Sequence, residues 1–162
     1  QDLDRGYVFQ FNGSNYLQMN LGTPIVHTKT FWVSFNESSA GQVFSSGLYA
    51  LYYGSTDYLH VALYTILNGN YIANKTIANY EQGRTWAFYA ITGNSTGYTL
   101  YVNGEKTITK VFDQGDPAWN VDTNIQFGAQ NGSYNHKWFL DDMRLYPFIL
   151  TDNQIVQIYK GG

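Results

Sequence analysis

The sequence predicts an all-β fold in which two antiparallel sheets pack face to face. Apolar and polar side chains alternate with a period of two over many short segments, which is the pattern of strands with one buried face. Gly, Asn and Asp residues separate these segments and are typical of turns. Twelve such segments occur along the chain, whereas a strongly twisted open sheet rarely passes ~10 strands. Two sheets therefore fit the pattern better than one.

The predicted strands follow one another along most of the chain. They comprise residues 7–11, 16–19, 31–35, 42–46, 48–53, 58–64, 71–77, 86–91, 98–102, 106–111, 124–127 and 138–146. The strongest turn signal is Asn103-Gly104, because a type I′ hairpin needs positive φ at both central residues. This pair predicts a hairpin between the ninth and tenth strands.

A single helix is predicted, directly after the last strand. Thr151 can cap the backbone while Gln154, three residues later, reaches back in a capping box. Ile155, Ile158 and Tyr159 then form an apolar stripe at helical spacing. We expect this helix to pack against the edge of the sandwich.

Length and composition predict one domain over residues 1–162. The chain has no linker-like run, internal repeat or low-complexity segment, and its size suits one domain. No apolar run approaches the roughly 20 residues that cross a bilayer, so no membrane insertion is expected. The first residues contain neither an initiator methionine nor the apolar core of a signal peptide. We therefore expect a mature product or a domain excised from a larger surface protein.

The charge of the chain argues against nucleic acid as a partner. The net charge is -3, and the 9 Lys and Arg residues form no cluster. Counterion release by basic side chains, which drives nucleic-acid binding, would therefore contribute little. Charged residues make up 13% of the chain and aromatic residues 18%, so solubility depends mainly on uncharged polar groups.

Five N-x-Ser/Thr sequons indicate an extracellular or surface-exposed protein. Cysteine is absent, so no disulfide reports the compartment. About two sequons would arise by chance from this content of Asn, Ser and Thr, and chance is the alternative for each single site. The predicted glycosylation sites are Asn12, Asn36, Asn74, Asn94 and Asn131.

An ordered series of segments resembles the laminin-G-like domains of the concanavalin A-like lectin/glucanase superfamily, and also pentraxin-like domains. The last strand carries the pair Asp141-Asp142 and is closed by Pro147, and the short helix ends in Ile158-Tyr159. The matching segments are residues 7–17, 30–35, 84–91, 98–106, 125–128, 139–147 and 150–159. The resemblance implies an antiparallel β-sandwich of jelly-roll type.

An enzyme of this superfamily would need a recognisable pair of acids. Glycoside hydrolysis generally uses two carboxylates about 5 to 9.5 Å apart, and the Glu-x-Asp-x-x-Glu strand of the related glucanases is missing. Glu37, Glu81 and Glu105 are isolated, while the neighbours Asp141 and Asp142 are expected on opposite faces of a strand. The sequence therefore predicts no catalytic residues.

No cofactor is required, and the resemblance implies calcium as a structural ion. Many laminin-G-like and pentraxin-like domains hold Ca²⁺ with carboxylates and carbonyls at the sandwich edge. By resemblance, Asp142 or Asp141 on the last strand and Asn12 in the first turn are the candidate ligands. Asn12 lacks the charge of the family's usual aspartate. This favours an alternative in which an aspartate accepts N–H bonds from the turn 12–14 without a metal.

Aromatic side chains in loops indicate the candidate binding surface. Tyr and Trp can stack on the apolar face of a sugar while nearby amides bond its hydroxyls. Trp32 and Trp86 fall in strand patterns and are predicted core residues, whereas Trp119 lies in the irregular segment 113–120. Capping one end of the core is the alternative for Trp119. The predicted surface comprises Trp119, Tyr134, Asn135, His136, Tyr52, Tyr53, Asp57, Tyr58 and His60.

These observations together predict a non-catalytic carbohydrate-binding or adhesion module of an extracellular or surface-exposed protein of a cell or virion. The expected partner is a glycan or a surface glycoprotein. The first alternative is a protein-protein interaction or structural module, since Tyr is enriched at protein interfaces. The second is a carbohydrate-active enzyme.

Overall fold

The computed structural model describes residues 5–20, 27–35, 41–46, 49–53, 58–65, 71–78, 86–112, 124–128 and 137–161. Each of the twelve predicted strands is found there, together with the predicted helix. Their bounds are β1 Phe9–Asn12, β2 Leu17–Asn20, β3 Thr28–Phe35, β4 Gly41–Ser46, β5 Tyr49–Tyr53, β6 Tyr58–Thr65, β7 Tyr71–Ala78, β8 Trp86–Asn94, β9 Gly97–Val102, β10 Glu105–Val111, β11 Asn124–Phe127, β12 Lys137–Tyr146 and α1 Asp152–Gly161.

The strands form two six-stranded antiparallel sheets. The first sheet has the order β1-β12-β3-β8-β9-β10, and the second sheet has the order β2-β11-β4-β5-β6-β7. The first and last strands are neighbours, with Phe9 opposite Leu140 and Asn12 opposite Lys137. The predicted antiparallel β-sandwich is therefore confirmed, and its architecture is consistent with a jelly roll.

The main core lies between the two sheets and is rich in aromatic rings. Phe31 of the first sheet meets Phe127 of the second edge-on, with 5.2 Å between ring centroids. Phe11 stacks on Trp138 at 4.0 Å, and both rings are buried. Alternation places these side chains inside, since successive residues of a strand point to opposite faces.

A second core lies on the outer face of the first sheet, beneath α1. Trp32 of β3 and Phe88 of β8 point outward here and are covered by Leu150 and Ile155. The helix therefore covers a sheet face, and the expectation that it packs against the sandwich edge is wrong. The physical reason is that the outward positions of β3 and β8 are themselves apolar and must be shielded from water. The predicted burial of Trp32 is confirmed at 7% exposure, and Trp86 packs partly buried against the same cluster.

Both local signals in the sequence are confirmed. Asn103 and Gly104 have φ values of 51° and 79°, as a type I′ turn requires. At the start of α1, the backbone N–H of Thr151 donates to Gln154 Oε1 at 2.9 Å, and Gln154 N–H donates to Thr151 Oγ1 at 3.4 Å. This reciprocal pair is the predicted capping box.

Candidate functional site

An open groove of about 720 Å³ crosses the outer face of the first sheet beside the start of α1. Strands β8, β9 and β10 form its floor, and residues 149–153 form one wall. Inward positions such as Tyr98 and Leu100 are buried in the main core, so the intervening Thr99 and Tyr101 face the groove. Strand alternation therefore gives this sheet an apolar inner face and a polar outer face at the same place.

Three threonines form a row across the floor of the groove. Thr92 of β8 lies opposite Thr99 of β9, which in turn lies opposite Thr109 of β10. The hydroxyl oxygens of Thr99 and Thr109 are 3.4 Å apart. Asn94 and Thr96 continue the polar lining at one end. Thr92 is 4% exposed, so Thr99 and Thr109 are the members of the row that offer hydroxyl donors and acceptors to a ligand.

The other end of the groove carries an ion pair tied to a tyrosine. The Tyr101 hydroxyl donates to Asp152 Oδ1 at 2.6 Å, and Lys106 Nζ lies 2.8 Å from Asp152 Oδ2. Tyr101 and Lys106 face each other across β9 and β10, while Asp152 begins α1. The Lys106 and Asp152 side chains are 49% and 62% exposed, so both can reach a ligand from the solvent.

The protonation states of this network follow from its contacts. Burial, together with the hydrogen bond to Asp152, raises the pKa of Tyr101 to about 12. Hydrogen bonds from Lys106 and then from Tyr101 lower the pKa of Asp152. At neutral pH the groove therefore presents a neutral phenol and an ionised carboxylate. These groups can donate and accept hydrogen bonds without changing their charge.

Residues 11–156 match a laminin G family model described as the concanavalin A-like lectin/glucanases superfamily. The chain belongs to this superfamily. The resemblance inferred from the ordered segments is thereby confirmed. None of the curated proteins compared with this concanavalin A-like chain matches it.

Solved structures similar to this concanavalin A-like chain include binding domains of botulinum neurotoxins. The serotype D binding domain has a TM-score of 0.71 and 19% identity, over 95% of this chain and 42% of that chain. A serotype D ligand-binding domain in complex with N-acetylneuraminic acid has a TM-score of 0.70 and 19% identity, with the same coverages. The binding domain of neurotoxin DC in complex with rat synaptotagmin II has a TM-score of 0.71 and 14% identity, over 96% and 43%. These likenesses show a shared fold, and this chain spans less than half of those chains.

The binding surface predicted from loop aromatics is only partly described, and its described residues lie away from the groove. Tyr52 and Tyr53 lie at the end of β5, and Tyr58 and His60 lie in β6, which are strands of the second sheet. The remaining predicted positions lie outside the described residues. They are Asp57, Trp119, Tyr134, Asn135 and His136.

The three candidate calcium ligands are not brought together. Asp141 accepts a hydrogen bond from Arg5 at 3.1 Å, and Asp142 accepts one from Arg144 at 2.7 Å. Asn12 lies opposite Lys137 of β12, which places it ~13 Å along the strand from Asp141. Calcium ligands lie about 2.3–2.6 Å from the ion, so these three residues do not fit one site. Within the described ranges, no group of three His, Asp or Glu side chains could hold a metal ion.

The proposed metal-free link between the first turn and the last strand takes another form. The turn after β1 is closed by its own amides: Asn12 Oδ1 accepts from Ser14 N–H at 2.9 Å, and Asn15 Oδ1 accepts from Asn12 N–H at 2.7 Å. The first and last strands are joined by their backbone ladder. An aspartate is not needed for either contact.

Because Asp141, Asp142 and Asn12 do not form one calcium site, we expect the same melting temperature in calcium and in chelator. A ligand that binds only the native state at 100 times its dissociation constant adds about 2.7 kcal/mol of stability, so binding would be easily seen. Differential scanning fluorimetry of the parent chain and of Asp142→Asn tests this. A calcium-dependent rise that disappears in Asp142→Asn would contradict the expectation.

Two of the predicted glycosylation sites lie in exposed turns of the same geometry. Asn12 Oδ1 accepts hydrogen bonds from Ser14 N–H and Oγ, and Asn94 Oδ1 accepts them from Thr96 N–H and Oγ1, all between 2.7 and 2.9 Å. Asn74 instead lies within β7. Asn36 and Asn131 lie outside the described residues.

In a host that performs N-glycosylation, we expect Asn12 and Asn94 to be modified and Asn74 to remain bare. The two turns present the asparagine to solvent with the Ser or Thr hydroxyl already on its side-chain oxygen, whereas a paired strand cannot form such a turn. Glycopeptide mass spectrometry checks this, with Asn12→Gln and Asn94→Gln each expected to lose one glycan. A glycan on Asn74 together with bare Asn12 and Asn94 would contradict it.

The groove residues were not predicted from the sequence. Tyr101, Lys106 and Asp152 come from three different elements, so spacing along the chain does not connect them. The available signal was threonine on two adjacent strands, Thr99 in β9 and Thr107 and Thr109 in β10. Threonine on an outward face beside a turn is an ordinary feature of strands, and only the fold shows that it lines a groove.

No helix in the described part of the chain is long and apolar enough to span a bilayer.

Proposed function

We propose that this chain is a non-catalytic carbohydrate-binding or adhesion module of an extracellular or surface-exposed protein. The observation that carries the proposal is the open groove on the first sheet, with its row of threonine hydroxyls and its ion pair at one end. Its expected partner is a glycan, free or on a surface glycoprotein. Membership of a superfamily that includes lectins supports this function as an analogy of fold.

The lining of the groove suits a saccharide. Thr99 and Thr109 can exchange hydrogen bonds with sugar hydroxyls, whereas Thr92 is buried beneath them at 4% exposure. Val111 and Ile149 also line the groove and are 70% and 46% exposed, so they offer apolar contact to the C–H face of a sugar ring. A ligand that lies on a paired sheet meets groups that are already ordered, which lowers the entropic cost of binding.

The acid in the groove supports binding rather than hydrolysis. Asp152 is the one carboxylate among the described residues that line it, whereas glycosidases generally use two. A general acid needs a raised pKa, but the contacts of Asp152 with Lys106 and Tyr101 lower the pKa of this carboxyl. The role of Asp152 is therefore to accept hydrogen bonds and to hold Lys106 in place.

The neurotoxin domains of the same fold are consistent with recognition as the task. One is described in complex with N-acetylneuraminic acid and another with rat synaptotagmin II. Both belong to chains more than twice as long as the part that this chain covers. They support a sugar or a protein as the kind of partner, without locating the site on this fold.

A glycan array with matched variants tests the proposal. We expect Lys106→Ala to weaken binding of any hit by about tenfold or more, since a hydrogen bond to a charged group contributes roughly 1.5–3 kcal/mol. Thr99→Val with Thr109→Val should weaken it by about tenfold, since two neutral hydrogen bonds contribute roughly 0.5–1.5 kcal/mol each. Lys160→Ala is the control, because Lys160 is an exposed lysine at the other end of α1 and should leave binding unchanged. Trp119→Ala tests the surface predicted from loop aromatics in the same assay.

Two outcomes would change the function assigned to the chain. If no sugar binds at millimolar concentration, a protein-binding module becomes the better interpretation. Ile149 on the groove wall and its neighbour Phe148, 46% and 53% exposed, favour that alternative. If a bound glycan is instead cleaved, the chain is a carbohydrate-active enzyme and its acids lie outside the groove described above. Equal binding by all groove variants would move the site elsewhere.

A further inference from the structure

The side chain of Arg5 occupies a small aromatic and acidic site on the outer face of the first sheet. Its guanidinium carbon lies 3.7 Å from the ring centroid of Trp32 and 5.0 Å from that of Trp86. Its Nη1 atom donates to Asp141 Oδ2 at 3.1 Å. The Arg5 side chain is only 13% exposed, although it is positively charged. We refer to Trp32, Trp86 and Asp141 as the guanidinium cage.

The walls of the guanidinium cage are held by contacts that do not involve Arg5. Trp32 is 7% exposed and packs against Phe88 and Tyr159, with ring centroids 5.3 and 5.6 Å away. It is therefore fixed between β8 and α1. A wall that is fixed by its own neighbours remains in place when the ligand leaves.

The acidic wall is fixed in the same way. Asp141 Oδ1 accepts a hydrogen bond from the backbone N–H of Asp142 at 2.8 Å, which leaves Oδ2 for the guanidinium. A register shift in β12 between Asp141 and Arg144, with Asp142 at a φ of 45°, sets this geometry. Asp142 itself binds Arg144 through both oxygens at 2.7 Å, so it does not compete for Arg5.

The chemistry of the cage is specific for arginine. A flat guanidinium can stack on an indole and donate to a carboxylate at its edge at the same time, whereas an ammonium group cannot stack. Pairing on a carboxylate that is only 23% exposed is less screened by solvent than pairing on an open surface. The cage therefore prefers a guanidinium group, which is the group of Arg5 that it already binds.

We propose that the guanidinium cage is a binding site for the arginine side chain of a partner protein, which Arg5 fills in cis until the segment that carries it moves away. Arg5 is linked to the domain by the chain itself, so its effective concentration is in the millimolar range or above. It acts as an intramolecular competitor that lowers the apparent affinity for an outside arginine. This site is separate from the groove and does not depend on the proposed sugar binding.

The test is to supply from solution the side-chain atoms that an Arg5→Ala substitution removes. Arg5→Ala removes the ethylguanidinium part of the side chain, so ethylguanidinium is the matched probe. We expect it to change tryptophan fluorescence saturably and to raise the melting temperature of Arg5→Ala, with half-saturation at about 1–10 mM, as suits a ligand of this few atoms. The parent chain should need at least tenfold more, because its own arginine competes.

Three controls decide what the response means. Ethylammonium should bind Arg5→Ala at least fivefold more weakly, and the double variant Arg5→Ala with Asp141→Asn should bind ethylguanidinium at least tenfold more weakly. The peptide acetyl-Gly-Arg-Gly-amide should bind Arg5→Ala, and its lysine analogue should not. The proposal is overturned if Arg5→Ala shows no saturable response, or if the double variant or the parent chain binds ethylguanidinium as tightly as Arg5→Ala does.

A second measurement applies if Arg5→Ala does not fold. The indole N–H signals of Trp32 and Trp86 in the parent chain are then followed by NMR during titration with the same two peptides. The arginine peptide should shift both signals at high concentration and the lysine peptide should not. Unmoved signals, or equal shifts with the two peptides, would overturn the proposal.

Discussion

Trp138→Ala is expected to lower the free energy of unfolding by about 3–5 kcal/mol, the usual cost of removing a large buried aromatic side chain. Trp138 is 1% exposed and stacks on Phe11 at a centroid distance of 4.0 Å. It lies on β12 between β1 and β3, so the cavity would open at the junction of three strands. Because domains are stable by only about 5–15 kcal/mol, this one change removes a large part of the total.

Equilibrium unfolding in urea, followed by circular dichroism, measures this loss. Trp138→Phe should cost less, since a ring remains to stack on Phe11. Lys137→Ala is the control at the neighbouring position of the same strand, where the side chain is exposed, and should stay within about 0.5 kcal/mol. A loss below about 1 kcal/mol for Trp138→Ala would mean that the rings of this core are not packed as described.

Gly128→Ala is expected to lower the free energy of unfolding by about 2–5 kcal/mol, from two separate costs. Gly128 directly follows β11 and has a φ of 92°, a region that a residue with a Cβ rarely adopts. A Cβ at this position would also overlap the ring of Phe11 at Cδ1. Phe11 is 0% exposed and is held by Trp138, so its ring cannot simply turn away.

A double-mutant cycle separates the two costs. In a Phe11→Ala background the ring is gone, so Gly128→Ala should cost only the backbone strain of about 1–2 kcal/mol. The two substitutions should therefore be non-additive by at least about 1 kcal/mol, as expected of residues in contact. Additive losses would show that the Phe11 ring does not restrict position 128. Gly161→Ala is the matched control, since a Cβ there meets nothing within 4 Å.

The strands could be predicted because their signals are local. Alternation and turn residues identified each of them, and Asn103-Gly104 and Thr151 with Gln154 specified a turn and a cap within four residues of chain. The start of β3 was predicted three residues late, since Lys29 is fully buried in the structure, whereas lysine is normally exposed. Burial of that kind depends on the tertiary fold.

The position of α1 has a signal in the sequence of β8. β8 is buried at every residue from Ala87 to Gly93, and its sequence is apolar on both faces, as in strands covered on both sides. That run required a cover over the outer face, which α1 supplies. The guanidinium cage had no comparable signal, because its residues and Arg5 are far apart in sequence. The orientation of Asp141 also depends on the register shift in β12, which the sequence does not indicate.

Arg5 and Tyr159 both lie against Trp32, at 3.7 and 5.6 Å from its ring centroid. One indole therefore anchors both the segment that precedes β1 and the helix α1, so loss of the Trp32 ring would loosen the two together.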